Sequence, residues 1–554
     1  MLIPRSSTGN RKHECRWWSL DTLGMTLMCA LLIGLPAGCG NLDESGTSDL
    51  VMARVKDAVN LDPSHATDGL SLNVSQEIME GLVMFKPGTF DVTGALATRW
   101  HTSDGGRRWT FTLRPNAKFS DGTPADAAAV KFNFDRWRLQ RDPAHGAFSY
   151  AYWVSEFGGF SDDPKNPGSV SDVIVDSPTQ VTFVLPQPSG TFLRNIAMTP
   201  FVIGSPAAIK ANPQAFEQHP IGSGPYVLRE WLRDDHITLD ANPSYSGPLE
   251  RPAIKTVVIR DIPDQATSVL SIEKGELAML TDPRPDDAAM LAKQSNIAIV
   301  NQPSNNLAYL AMNMEKKPFD DVRVRRAVAQ ALDLPAIIAA LYGPGTVEGD
   351  NWTPPGMLGE NKHIKIWPHD IAAAKALLAQ AGFPHGFTTE LYLPTSPRPY
   401  MPDPQRLAEA IQADLKEAGI NVVLEPFEFG VFLAKIQNGE HPMCLIGWSG
   451  DNGDPDNFYY PLLDQDSAIK PYAQNYAFWR DPQFHKLMLA GQRSVDENQR
   501  RAIYERAAQM VHDQVPAISL LHTPVPLALR TSLHGFVPSP DTEYHFELMT
   551  NAGT

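Results

Sequence analysis

The sequence predicts an α/β fold, and three observations carry that reading. Apolar residues at helical spacing run over 370–381 and 406–418. Each run stops at a glycine, Gly382 and Gly419, and the second leads into a short apolar strand at 420–424. Trp109, Phe111 and Leu113 alternate with Thr110, Thr112 and Arg114 after an Asp104-Gly105-Gly106 turn, the period-two pattern of a half-buried strand. The chain has 554 residues and is 43% hydrophobic, enough for two to four domains with cores of their own.

Composition narrows the function classes. The formal charge is −16 and no basic run interrupts it, so nucleic acid is excluded as a partner, because phosphate contacts need clustered Lys and Arg. The 47 prolines are scattered through periodic segments rather than gathered in a tail. Of the four cysteines, Cys15, Cys29 and Cys39 fall in the first forty residues, which leaves neither a disulfide framework nor a C-x-x-C knuckle. Cys444 lies in an apolar run and reads as a small buried side chain.

In chain order, residues 1–39 read as a targeting segment. Arg5, Arg11, Lys12 and Arg16 form a basic start, 23–35 is apolar but short for a bilayer span, and Pro36-Ala37-Gly38 precede Cys39. The ending LPAGC resembles a bacterial lipobox, with proline where leucine is usual. Export is expected, with cleavage before Cys39, lipidation of that cysteine and attachment to a membrane surface on the extracytoplasmic side. Residues 40–49 form a polar, flexible tether. A first strand is expected at 50–59 and a helix opening at 72, with Val74, Ile78 and Leu82 on one face. Two strands at 170–185 turn at Asp176-Ser177-Pro178. Helices follow at 263–274 and 320–332, and Arg323, Arg325 and Arg326 in the second read as surface ion-pair partners. Further helices are expected at 483–489 and 498–513, and a closing strand at 517–521.

The chemistry concentrates at 444–460, CLIGWSGDNGDPDNFYY. A short buried strand breaks at Gly447 and runs into Asp451, Asp454 and Asp456, set among glycine, asparagine and proline in a tight loop. Three acids between Trp448 and the Phe458-Tyr459-Tyr460 trio make a solvated turn, a metal loop or a seat for a ligand cation. The metal reading fails: counted from Asp451, a calcium loop wants oxygen ligands at the third and fifth places and glutamate at the twelfth, where this chain has Gly453, Pro455 and Leu462. A serine nucleophile elbow also fails, because the second glycine is missing. Turn or ligand seat remains. The acids cannot all serve one cation, so at least one is expected to be solvated or to cap its own turn. Gly450 and Gly453 are expected to let backbone approach a ligand, and Trp448 to supply an apolar wall. A second stretch, 391–404, holds Arg398 and Tyr400 in a proline-bounded loop, either as a solvated arginine or as a paired basic and hydroxylic contact. Gly222-Ser223-Gly224-Pro225-Tyr226 is no phosphate loop, since Val227 replaces the third glycine and no lysine follows.

These motifs resemble, in the same order, those of the extracellular solute-binding proteins of bacterial ABC importers, family 5, which take peptides and, in some members, nickel, haem or sugars. GWSGDNGDPDNF is similar to the acidic loop of its dipeptide-binding members. Trp100, Trp109-Thr110-Phe111, Leu113-Arg114, Phe119-Ser120-Asp121-Gly122, the Gly222–Tyr226 turn and Asn242-Pro243-x-Tyr245 fill further family positions. Ala127-Ala128-Ala129-Val130 departs from the usual acidic pattern, which puts a helix cap or surface pair in doubt. The resemblance covers about 50–545. It implies a periplasmic-binding-protein-like fold of class II with an additional lobe, three lobes closing on an interlobe cleft: lobe I from 50–70, 200–300 and 516–554, lobe II from 71–199, and lobe III from 301–515. It implies that Asp451 pairs with a ligand α-ammonium and that Arg398 and Tyr400 hold the C-terminal carboxylate. A dipeptide or short peptide would then pass to a membrane permease driven by an ATPase.

No cofactor, metal or catalysis is implied, and a monomer is expected. Other solutes in the same fold, a haem, nickel chelate or oligosaccharide, are the alternative. A hydrolase pairing Asp451 with Asp454 or Asp456, or a chaperone-like use of the cleft, stands further off. No HExxH or serine arrangement supports a peptidase.

Overall fold

The computed structural model describes residues 49–303 and 305–551, so Cys39 and nearly all of the expected tether lie outside the described residues. Three sheets organise the chain. A seven-stranded mixed sheet runs in the order Ile297–Gln302, Val525–Arg530, Met279–Thr281, Asp49–Arg54, Thr256–Asp261, His236–Ala241 and Tyr226–Leu232. A six-stranded sheet runs Val347–Glu348, Ala517–His522, Asn306–Met312, Met443–Ser449, Phe387–Pro394 and Ile420–Phe427. A four-stranded antiparallel sheet, Ala97–Ser103, Arg108–Leu113, Gln180–Val184 and Asp172–Ser177, completes the set. Helices cover the sheets, giving a multi-lobed α/β architecture.

The alternation at 108–113 is real: Trp109, Phe111 and Leu113 are buried and enter an aromatic core with Phe134, Trp137, Trp153 and Phe183. The central strands of the six-stranded sheet are apolar on both faces. In Asn306–Met312, Leu307, Tyr309 and Ala311 face one core while Ala308, Leu310 and Met312 face the other. Met443–Ser449 behaves alike, which explains the unbroken run Cys444-Leu445-Ile446. Cys444 is fully buried, and burial pushes its thiol well up.

Aspartate starts most of the helices. Asp68, Asp126, Asp264, Asp321, Asp370, Asp403, Asp481 and Asp496 each accept a hydrogen bond from a backbone N–H of the first turn. Asp126 supplies the cap that the 127–130 alanine stretch put in doubt. Gly382 and Gly419 follow their helices with φ of 95° and 91°.

Four expectations change. The first strand ends at Arg54, whose guanidinium is held by Asp57 at 2.9 Å and Asp261 at 2.7 Å. The helix expected from residue 72 starts at Gly69 and ends at Ile78, so Leu82 lies beyond it. Arg325 is no surface pair partner. It is 3% exposed and donates to the carbonyls of Phe319, Gln514 and Val515, capping the end of helix Glu497–Gln514 where unpaired carbonyls need a cation. The strand Ala517–His522 pairs with Asn306–Met312 in the six-stranded sheet, so the chain returns to the seven-stranded sheet only at Val525, not at 516.

Two strands therefore run side by side through both large sheets. Gln302 is paired with Val525 at the end of one sheet, and Ala308 with Leu521 at the start of the next. Between them, Asn306 and Thr523 exchange two hydrogen bonds, Nδ2 to carbonyl at 2.8 Å and N–H to Oδ1 at 3.1 Å.

Candidate functional site

Phe387–Pro394 and Met443–Ser449 are parallel neighbours, with Leu391 opposite Met443. The loops bearing Arg398 and Asp451 thus leave the carboxyl ends of adjacent parallel strands, where ligands of open α/β sheets bind.

Asp451 is half-buried, and burial pushes its carboxyl up to about 6. Its Oδ1 accepts the Tyr152 hydroxyl at 3.4 Å and its Oδ2 the Asn457 amide at 3.5 Å. The Asp451 N–H donates to Asn457 Oδ1 at 3.1 Å, and Trp448 Nε1 donates to the same oxygen at 3.1 Å, so Trp448 helps set the loop. Among the described residues no cation lies within ion-pair distance of Asp451. A desolvated carboxylate held by neutral donors is short of one positive charge.

The other two acids are differently placed, and none of the three is a solvated turn residue. Asp454 is 0% exposed and is gripped by Arg500 through two bonds of 2.7 and 2.6 Å, with Arg194 Nε 3.8 Å away. It also accepts the Asp456 N–H at 3.0 Å, capping its own turn as expected of one acid. Arg500 holds its carboxyl below the usual range against the opposing pull of burial. Asp456 takes Gln492 at 3.0 Å and Tyr504 at 3.1 Å, and burial together with Asp454 raises it to about 7. Asp454 and Asp456 are tied to the helices carrying Gln492, Arg500 and Tyr504, and Asp451 is not.

The two glycines answer to the protein itself. A Cβ at Gly450 would meet Phe458 and Asn305 at 2.6 Å, and both backbone groups of Gly450 already bond Asn305. Gly453, at φ +61°, has Phe90 against its Cα, where a Cβ would come within 2.0 Å.

Arg398 lies over the Phe429 ring, its guanidinium carbon 3.2 Å from the centroid, and its main chain pairs with Met401. Its Nε is buried without a hydrogen-bond partner, and no carboxylate among the described residues is within ion-pair distance. Tyr400 is 7% exposed and its ring packs against Gly447, where a Cβ would come within 2.3 Å of it.

Sequence reasoning missed what faces Asp451 from the other side. Helix Ala151–Phe157, built on the core of the four-stranded sheet, brings Tyr152 to Asp451 and Glu156 to Asn452, whose Nδ2 donates to Glu156 Oε2 at 3.1 Å and to Asn195 Oδ1 at 2.8 Å. Nothing in AYWVSEF marks those roles. Asn452 sat within the motif but pointed to no partner. Asp464, Asp466 and His485 form the one group with metal-ligand spacing among the described residues, at the far end of helix Asp456–Leu463. There the His485 Nδ1 sits 3.0 Å from Asp464.

A mixed α/β sheet with long loops at the carboxyl ends of adjacent parallel strands, met by a helix from a second sheet domain, is the architecture of solute-binding proteins of the periplasmic type. The chain belongs to the bacterial extracellular solute-binding proteins, family 5, whose middle-region model matches residues 91–469. It is similar to the dipeptide-binding protein of Escherichia coli K12, 34% identical over 497 residues, covering 88% of this chain and 91% of the relative. Heme-binding protein A of Haemophilus influenzae is 31% identical over 511 residues, covering 90% and 91%. Among solved structures, HbpA2 from Haemophilus parasuis superposes with a TM-score of 0.83 at 30% identity, covering 91% of this chain and 99% of that one. The dipeptide-binding protein of Pseudoalteromonas sp. SM9913 in complex with Met-Leu gives 0.71 at 28%, covering 91% and 100%. The chain is therefore the extracytoplasmic solute-binding component of an ABC importer, a binding protein and not an enzyme. Membership implies cooperation with a membrane permease and its ATPase. No helix among the described residues is long and apolar enough to cross a membrane.

Proposed function

We propose that this chain binds dipeptides or short peptides, with Asp451 as counter-charge to the ligand α-ammonium, and delivers them to the permease. The observation that carries the reading is the Asp451 carboxylate, desolvated and without a cation. Arg398, stacked on Phe429 and free of any carboxylate, takes the C-terminal carboxylate in bidentate fashion with Tyr400 beside it, and Trp448 borders the cleft. Two opposite anchors at fixed separation select ligand length, because a longer peptide leaves one buried charge unpaired. Peptide-binding relatives such as those of Escherichia coli and Pseudoalteromonas support the assignment. The lobes follow the sheets, one on the seven-stranded sheet, one on the four-stranded and one on the six-stranded, and they close on the ligand. Lipidation at Cys39 would hold the protein at the extracytoplasmic membrane face.

Calorimetry with a free and an N-acetylated dipeptide tests the reading. The parent protein binds the free peptide and rejects the acetylated one, and Asp451→Asn, folded by its melting temperature, loses the free peptide. Equal affinity for both peptides, or normal binding by the variant, would remove the α-ammonium site and turn the reading to another solute, such as a haem.

A further inference from the structure

The cleft holds a second acid that the dipeptide scheme does not use. Tyr152 and Glu156 stand four residues apart, on one face of helix Ala151–Phe157, and both reach the loop carrying Asp451. Glu156 Oε2 accepts Asn452 Nδ2 at 3.1 Å and Oε1 accepts Ser155 Oγ at 3.3 Å, both neutral donors. Among the described residues no Lys, Arg or His lies within ion-pair distance of Glu156 or of Asp451. The arginines nearby are committed elsewhere: Arg500 to Asp454, and Arg194 to the Phe90 carbonyl and Asp454. Two carboxyl groups, Glu156 from the helix and Asp451 from the loop, are thus close enough to repel one another with no cation between them among the described residues, while an apolar dipeptide brings one positive charge to this end.

We propose that Glu156 is a specificity-determining residue that receives a cationic side chain on the ligand's first residue, so that the cleft favours peptides beginning with lysine or arginine. This rests on the α-ammonium lying at Asp451. A lysine or arginine side chain departs one carbon from that ammonium and is long enough to reach Glu156, which is bonded to Asn452 next to Asp451. Burial, with Asp451 and Asp456 adding repulsion against the Ser155 and Asn452 hydrogen bonds, lifts the empty Glu156 carboxyl to about 8. At neutral pH it is mostly protonated, and an arriving ammonium displaces that proton to the buffer.

The experiment is calorimetry at pH 7 with Lys-Ala and its neutral isostere norleucyl-alanine, on the parent protein, Glu156→Gln and Glu156→Asp, in two buffers of different ionisation enthalpy. The parent is expected to prefer Lys-Ala by about tenfold or more and to release a proton only with Lys-Ala. Glu156→Gln brings the ratio of affinities to about one and abolishes the proton release, while Glu156→Asp retains a preference. Norleucyl-alanine binding as tightly as Lys-Ala to the parent, or a preference surviving in Glu156→Gln, overturns the Glu156 assignment and leaves Asp451 intact. Failure of both peptides to bind the parent overturns the peptide reading, and this inference with it.

Discussion

Affinity for an apolar dipeptide should fall as the solution is acidified from pH 7 to pH 5, and the structure sets the size of the fall. Asp451 pairs with an ammonium only when ionised, and burial places its carboxyl at about 6. At pH 7 roughly nine-tenths of the molecules carry the charge and at pH 5 roughly one-tenth, so affinity drops about tenfold, about 1.4 kcal/mol. The ligand contributes nothing over that range, because a free α-amino group titrates near 8 and a free carboxyl near 3.5. Acid unfolding does not mimic the effect. A carboxyl raised in the folded state contributes stability that is complete below about 4 and is lost as pH rises through about 6, and Asp456 and Glu156 act in the same sense at about 7 and 8. From these groups the empty protein therefore becomes more stable between pH 8 and pH 5 while its affinity falls. Calorimetric titrations at half-unit steps, with melting temperatures alongside, measure both. A flat affinity between pH 7 and pH 5 would refute Asp451 as the counter-charge.

Two further outcomes test the rest of the site. Arg398→Ala should weaken binding of a free-carboxylate dipeptide by about a hundredfold, one charge-assisted bidentate pair, with Arg398→Lys intermediate and Tyr400→Phe smaller, and a C-terminally amidated peptide should bind the parent poorly in the same calorimetry. Asp454→Asn leaves the 3%-exposed Arg500 without its carboxylate and should cost about 3–5 kcal/mol in urea unfolding.

Much of the fold was readable because local rules and packing agree. The Trp109-Phe111-Leu113 alternation and the glycine stops at 382 and 419 each answer to physics within a few residues. The acidic loop could be found for the same reason, since three acids among turn residues stand out against an apolar strand. What separates those acids could not be read locally. Asp454 is structural because Arg500, forty-six residues on, reaches it, whereas among the described residues only neutral donors, Tyr152 and Asn457, reach the Asp451 carboxylate. Arg325 misled for the converse reason. An arginine in an amphipathic helix looks solvent-facing until another helix ends against it, as Glu497–Gln514 does. Tyr152 and Glu156 belong to a short helix from a different sheet, and such a meeting of distant segments leaves no periodicity to detect.

The paired strands shared by the two large sheets have a mechanical consequence. Gln302 and Val525 end one sheet and Ala308 and Leu521 begin the next, so the blocks are joined by a ribbon two strands wide. A ribbon of that kind bends across its flat face and twists, but resists shear along its length, because sliding one strand past the other would break hydrogen bonds in both sheets at once. Its crossing point is cross-tied by Asn306 and Thr523, far in sequence from Arg398 and Asp451. Such a ribbon favours swinging about one short axis over sliding, and Arg398 and Asp451, which follow neighbouring strands of the six-stranded sheet, stay on the same side of it.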